Sequence, residues 1–112
     1  MTWHALDIEG AVGTGPVLAR LADDPARAVL LARDAEGRLH ATDPGCPHLG
    51  HPLTMGHVDG DVLECDHHAY RYRLTDGICT SPGGPLAGVL PLHDVRERGD
   101  RVEVQLAEAP SA

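Results

Sequence analysis

The stretch CPHLGHPLTMGHVDGDVLECDHHAY, from Cys46 to Tyr70, decides how the rest of the chain is read. It contains two short motifs, Cys46-Pro47-His48 and, after sixteen intervening residues, Cys65-Asp66-His67-His68. Each motif supplies one soft thiolate and one imidazole. A Cys-x-His or Cys-x-x-His step inside a tight loop lets both side chains converge on metal without distorting the backbone. The interval between the motifs holds Asp59-Gly60, a hairpin signal. Two chemistries satisfy such a donor set. A two-metal cluster with unlike ends takes the two cysteines on one iron and the two histidines on the other, and a single tetrahedral zinc uses all four.

Outward from this stretch the chain reads as all-β. Thirteen Gly and nine Pro argue for short elements and tight turns. Strands are expected at Val17–Leu21, Arg38–Thr42, Asp61–Cys65, Ala69–Leu74, Leu92–Arg96 and Arg101–Leu106, the last alternating Val102, Val104 and Leu106 on one face. Turns are expected at Asp59-Gly60, Asp76-Gly77 and Gly99-Asp100. Asp24 to Arg33 is ambiguous, because Asp24 as N-cap and Pro25 in the first turn would suit a helix. The Asp34-Ala35-Glu36-Gly37 turn that follows favours a strand feeding a hairpin into Arg38. The segments richest in Gly and Pro, Asp43–Pro52 and Thr80–Gly88, bracket the Cys/His stretch. The expectation is therefore one domain over residues 1–112, with a loop-built subdomain at about 43–88 inserted in a β base and a loose tail at 107–112.

Composition narrows the function. A chain of 112 residues has room for one domain, and a chain of this size hides roughly two-thirds of its unfolded surface. No apolar run reaches the ~20 residues of a membrane span, and the start Met1-Thr2-Trp3-His4-Ala5 lacks the basic and apolar pattern of a signal peptide. A cytoplasmic protein without a membrane partner is expected. The net charge is −8, and all nine basic residues are Arg. A nucleic-acid partner needs clustered positive charge and is not expected; the acidic surface serves solubility or draws a basic protein partner. Cys46, Cys65 and Cys79 are an odd set, which excludes a full disulfide framework and is consistent with a reducing compartment.

With these features together, the sequence resembles the Rieske-type [2Fe-2S] ferredoxins and domains. The resemblance runs from about Ala28 to Leu106 and is strongest at Cys46-Pro47-His48-Leu49-Gly50, at Leu53–Cys65 with Gly56 and Asp59-Gly60, and at Cys65–Tyr72. Ser81-Pro82-Gly83-Gly84-Pro85-Leu86 stands where the family has a loop that covers the cluster. The resemblance implies antiparallel sheets packed as a β-sandwich with the cluster subdomain at one tip. It further implies that Cys46 and Cys65 hold the inner iron and that His48 and His68 hold the outer one. Two ferric ions, two sulfides and two thiolates then cancel in charge, and the potential lies at ~−150 to +300 mV instead of the ~−400 mV of four-thiolate plant-type clusters.

Departures from the family pattern bear on tuning. His51 stands where respiratory-chain members carry an extra Cys, so no disulfide braces the ligand loops. Ala69 follows His68 where the family commonly has Gly, and few donors to cluster sulfur are expected, with Tyr70 the nearest. The expected potential is at the low end of the range. The implied role is that of an electron carrier, not itself an enzyme, between a flavin or iron-sulfur reductase and a terminal oxygenase. The alternatives are a small subunit of an assimilatory nitrite reductase and a zinc-bound structural module. Other residues read as structural: His67 is passed over as ligand in favour of His68, His51 and His57 as solvated loop residues, and Cys79 as a small hydrophobe. Trp3 reads as edge packing, and the Tyr70 to Arg73 alternation as a strand with one face in and one out.

Overall fold

A computed structural model of the chain describes residues 2–8, 12, 15–45, 52–65, 70–80 and 89–106. Nine strands follow in order: β1 His4–Ile8, β2 Val17–Leu21, β3 Asp24–Arg33, β4 Leu39–Thr42, β5 His57–Asp59, β6 Val62–Glu64, β7 Arg71–Arg73, β8 Leu92–Arg98 and β9 Arg101–Gln105. Among the described residues there is no α-helix, and the one helical element is a 3-10 turn at Leu53–Met55. No helix among them is long and apolar enough to cross a membrane.

Every strand pair is antiparallel, as expected. The base closes into a six-stranded ring in the order β1-β2-β3-β4-β8-β9. Where a sandwich would leave two sheets with open edges, β1 pairs with both β2 and β9, through Leu6↔Leu21 and His4↔Val104. Closure removes the unpaired strand edges that invite aggregation. Strands β5, β6 and β7 lie between β4 and β8 in the chain and form a separate three-stranded sheet.

The ambiguous segment is a strand along its whole length. Its apolar run Ala28-Val29-Leu30-Leu31-Ala32 is explained by burial on both faces. Val29 and Leu31 join Ala19, Leu21, Ala41 and Val104 in one core, and Leu30 joins a second core with Leu53, Leu63, Cys65, Tyr72, Leu74, Cys79 and Leu90. Thus β3 is a wall between two apolar interiors. Asp24 and Pro25 open this strand in place of a helix, at a register shift between Arg20 and Leu21 on β2. A proline cannot donate to a ladder and is tolerated at such a strand start.

The expected turns stand at Asp59-Gly60, Asp76-Gly77 and Gly99-Asp100. Two strands were not among those expected: β5, where His57 was read as a solvated loop residue, and β1, which carries too little apolar alternation in His4-Ala5-Leu6-Asp7-Ile8 to stand out yet closes the ring. Trp3 packs beside it under the guanidinium of Arg96, 4.1 Å from the ring centre, as edge packing. The small sheet sits on the ring through few backbone bonds. Ala35 donates to the Gly60 carbonyl at 2.9 Å, from the β3–β4 turn to the β5–β6 turn.

Candidate metal centre

Segments 46–51, 66–69 and 81–88 are flanked by described residues of which Leu53, Cys65, Cys79 and Leu90 belong to the second core, with Tyr70 packed against it. Cys46, His48, His51, His67 and His68, and the Pro-rich stretch 81–86, lie outside the described residues. The points from which they spring are described. The first segment is closed by an antiparallel bridge between Gly45 and Pro52, reinforced where Leu53 donates to the Pro44 carbonyl at 2.9 Å. The 3-10 turn then presses against the end of β6. A Cβ on Gly56 would lie 2.3 Å from the Glu64 carbonyl oxygen, so the backbones meet only because this position has no side chain.

The second segment is closed more tightly, by the Cys65 N–H donating to the Tyr70 carbonyl at 2.7 Å. Cys65 is 1% exposed and packs in the same core as Leu53, at the return of the first segment. The third springs from Thr80, whose N–H donates to the Arg71 carbonyl at 2.8 Å, and returns at Val89, bridged to Ile78. Gly77 permits this return. Its φ is +76°, and a Cβ there would lie 2.1 Å from the Leu90 carbonyl oxygen, while its own carbonyl accepts from the Leu90 N–H at 2.9 Å. Leu53, Cys65, Cys79 and Leu90, each close in sequence to one of these segments, thus share one apolar core with Tyr72, which is fully buried.

The surroundings of these roots are polar and paired. His57 lies on β5, a strand position and not the loop position expected, and its Nε2 is 2.7 Å from Glu64 Oε2 across the β5–β6 pair. Arg71 pairs with Asp59 and Arg73 with Asp76. Tyr72 and Leu74 are buried between and beyond these arginines, which gives the expected inward and outward faces. The Arg73 guanidinium holds the Asp76 carboxyl below its ordinary range, helped by the Ile78 N–H. Cys79 is buried in the core as a small apolar residue, as expected.

Among the described residues the other histidines each meet a carboxylate, which nothing in the sequence spacing announced. His4 Nδ1 is 2.8 Å from Asp23, His40 Nε2 is 2.8 Å from Asp34, and His93 Nε2 is 2.7 Å from Asp43. A carboxylate only accepts, so in each pair the ring nitrogen donates. Asp34 is the most enclosed of these acids, with its side chain 6% exposed. The hydrogen bond from His40 lowers its pKa most, burial opposes this, and the N–H groups of Arg38 and Glu36 add to the lowering.

The donor chemistry of the two motifs, one thiol and one imidazole step in each, with Cys65 buried in the second core, fits a two-iron cluster with unlike ends.

Comparison with known proteins agrees. The family profile of the Rieske [2Fe-2S] domain matches residues 3–91. "Cholesterol 7-desaturase nvd" of Xenopus laevis is 45% identical over 49 residues, covering 43% of this chain and 11% of that protein. "Oxidoreductase NdmD" of Pseudomonas putida is 40% identical over 84 residues, covering 70% of this chain and 14% of that protein. The chain thus spans a small part of the curated relatives it matches. Among solved structures, a chain from the complex of reduced oxygenase and oxidized ferredoxin in carbazole 1,9a-dioxygenase superposes with a TM-score of 0.72 at 22% identity, over 91% of each chain. That likeness shows the fold. The chain belongs to the Rieske [2Fe-2S] domain family, its cofactor is a Rieske-type [2Fe-2S] cluster, and its role is electron transfer.

Proposed function

We propose that this Rieske-family chain is a one-electron carrier that takes electrons from a flavin or iron-sulfur reductase and delivers them to a terminal oxygenase in the cytoplasm. Cys46 and Cys65 hold one iron, and His48 and His68 hold the other. The ligand assignment is supported by the described residues that flank the two motifs. The Gly45–Pro52 bridge and the Cys65–Tyr70 hydrogen bond close the two segments, and Leu53 and Cys65 share the apolar cluster beneath them.

When bound, the cluster supplies a one-electron couple. The chain's own residues fix it, limit its solvation and set its donors. Cys65 meets it from a buried position, where a low dielectric strengthens local charge interactions. The carrier reading is supported by the likeness of fold to a chain of an oxygenase–ferredoxin complex, that of carbazole 1,9a-dioxygenase. A second reading draws on a different observation. The matched relatives include the "Toluene-4-sulfonate monooxygenase system iron-sulfur subunit TsaM1" of Comamonas testosteroni, of which this chain covers 16%. On that reading the domain relays electrons within a larger oxygenase component.

The test begins with metal and sulfide analysis. The oxidised chain is expected to hold about two iron and two acid-labile sulfides. The reduced chain is expected to give an electron paramagnetic resonance (EPR) signal of low average g and to reoxidise on mixing with a terminal oxygenase. His68→Ala loses or rearranges the cluster, and His67→Ala retains it. Bleaching by His67→Ala alone overturns the ligand assignment, and stoichiometric zinc without sulfide after anaerobic purification overturns the cluster itself.

A further inference from the structure

The first ligand segment is anchored by more than its own bridge. Immediately before it, Asp43-Pro44-Gly45 is held at successive residues by different parts of the molecule. The Asp43 carboxylate accepts from His93 Nε2 on β8 at 2.7 Å. The Asp43 N–H donates to the Pro91 carbonyl at 3.0 Å, and the Pro44 carbonyl accepts from the Leu53 N–H at 2.9 Å. Thr42, 1% exposed, donates its hydroxyl to the Asp43 carbonyl at 2.9 Å.

The Gly45–Pro52 bridge ties the two described flanks of the segment to each other, whereas the contacts of Asp43 tie the leading flank to β8 and to Pro91. His93 is suited to be a fixed point. Its side chain is 7% exposed, so packing restricts its ring, whereas the Asp43 side chain is 47% exposed and would otherwise move with solvent. His93 lies opposite Ala41 in the β4–β8 register, so its ring is referred to the closed barrel. The same clasp reaches the Pro-rich segment, because Pro91 lies just beyond its return at Val89 and Leu90. The orientation of ligand-bearing groups sets the electronic character of a metal site as much as their identity does.

We infer that Asp43 and His93 are positioning residues for the first ligand segment: their contact sets the orientation in which Cys46 and His48 are presented, and couples it to the return of the Pro-rich segment. The inference rests on the proposed ligand set.

The test uses the cluster-loaded full chain and compares Asp43→Ala, His93→Leu and His93→Gln with His4→Leu. The Gln amide can place a nitrogen near the imidazole Nε2, so His93→Gln retains a donor to Asp43. His4–Asp23 is a contact of the same type that ties β1 to the β2–β3 turn, and it serves as the matched control. Asp43→Ala and His93→Leu are expected to shift the EPR g-values and the midpoint potential in the same direction. They are also expected to lose visible absorbance about tenfold faster at a temperature well below unfolding. His93→Gln restores the parent signal, and His4→Leu lowers the melting temperature with the signal unchanged.

Because His93→Leu could disturb folding, Asp43→Ala on its half-exposed side chain decides the matter. If Asp43→Ala leaves g-values, potential and cluster loss at parent levels, the inference is overturned. It is overturned equally if His4→Leu moves the signal as much, since the effect is then one of general stability. Failure of the proposed ligand set is seen separately, in a parent chain that lacks the [2Fe-2S] signal or keeps it when Cys46 and His48 are replaced.

Discussion

The closed ring and the small sheet are held together by different means. The ring includes the longest ladders among the described residues, with five registered pairs between β2 and β3 and five between β8 and β9, and it encloses an aliphatic core of Ala19, Leu21, Val29, Leu31, Ala41 and Val104. In the small sheet each strand is three residues long. Its surroundings are fixed by isolated bridges, by backbone approaches at Gly56 and Gly77 that exclude a side chain, and by one large residue, Tyr72. An isolated sheet of this size is marginal in water. The ring therefore has a core of its own, whereas the small sheet shares its core with Leu30 of β3 and, on the proposed ligand set, depends on the cluster as well.

Removal of the cluster is the strongest way to break that comparison. A structural metal contributes folding free energy directly, because the unfolded chain has no preformed site. Chelation under reducing conditions is expected to abolish amide protection in β5–β7 while protection in β1–β4, β8 and β9 persists. Hydrogen exchange read by mass spectrometry checks this, and uniform loss over both regions would show that they form one cooperative unit.

Paired core truncations sharpen the same contrast at smaller magnitude. Leu31 and Tyr72 are both fully buried, the first in the core of the ring and the second in the core shared with the small sheet. In the loaded chain Tyr72→Ala is expected to cost about 3–5 kcal/mol and Leu31→Ala about 2–5 kcal/mol. In the cluster-depleted chain Leu31→Ala keeps its cost and Tyr72→Ala loses most of it, because the region around Tyr72 is already loosened. Denaturant titration of both variants in both states measures the difference. Equal costs for Tyr72→Ala with and without cluster would show that the small sheet is self-supporting.

The two regions also differed in how far the sequence disclosed them. Where side chains carry the structure, pattern went far: the Val102, Val104 alternation gives β9, whereas the apolar run in Ala28–Ala32 suits helix and strand alike and was decided by the turn that follows it. The strand β1 escaped notice because its place in the ring comes from closure onto β9, a tertiary requirement with little trace in His4–Ile8. Similarly, the two Cys/His motifs were legible because metal chemistry demands particular residue types at short spacing. The contacts beneath them were not. Asp43 and His93 are fifty positions apart, and their meeting follows from the β4–β8 register. The backbone approach at Gly56 depends on where β6 ends, which residue type alone does not convey.

The smallest expected effect lies at the joint between the two regions, in the β3–β4 turn. There Asp34 accepts from His40 Nε2 at 2.8 Å and from the N–H groups of Glu36 and Arg38 at 2.9 and 3.0 Å, and the next residue, Ala35, donates to the Gly60 carbonyl of the small sheet. These donors favour the charged form, and the Asp34 pKa is lowered from 3.8, with the His40 hydrogen bond the largest cause. A group whose pKa is lower in the folded than in the unfolded chain stabilises the fold above its unfolded value, and that contribution is lost as pH falls through the folded value. Acidification from neutral pH is therefore expected to leave this contribution intact until the ordinary carboxylate range is reached, and to weaken the turn below it. Asp34→Asn removes the titration while keeping an acceptor oxygen. Its melting temperature is expected to lie slightly below the parent's at neutral pH and to converge on it in acid. Protection at the Ala35 amide should follow the same course. A constant gap between the two chains from neutral to acid pH would show that Asp34 holds the joint by shape and hydrogen bonding alone, without a contribution from its charge.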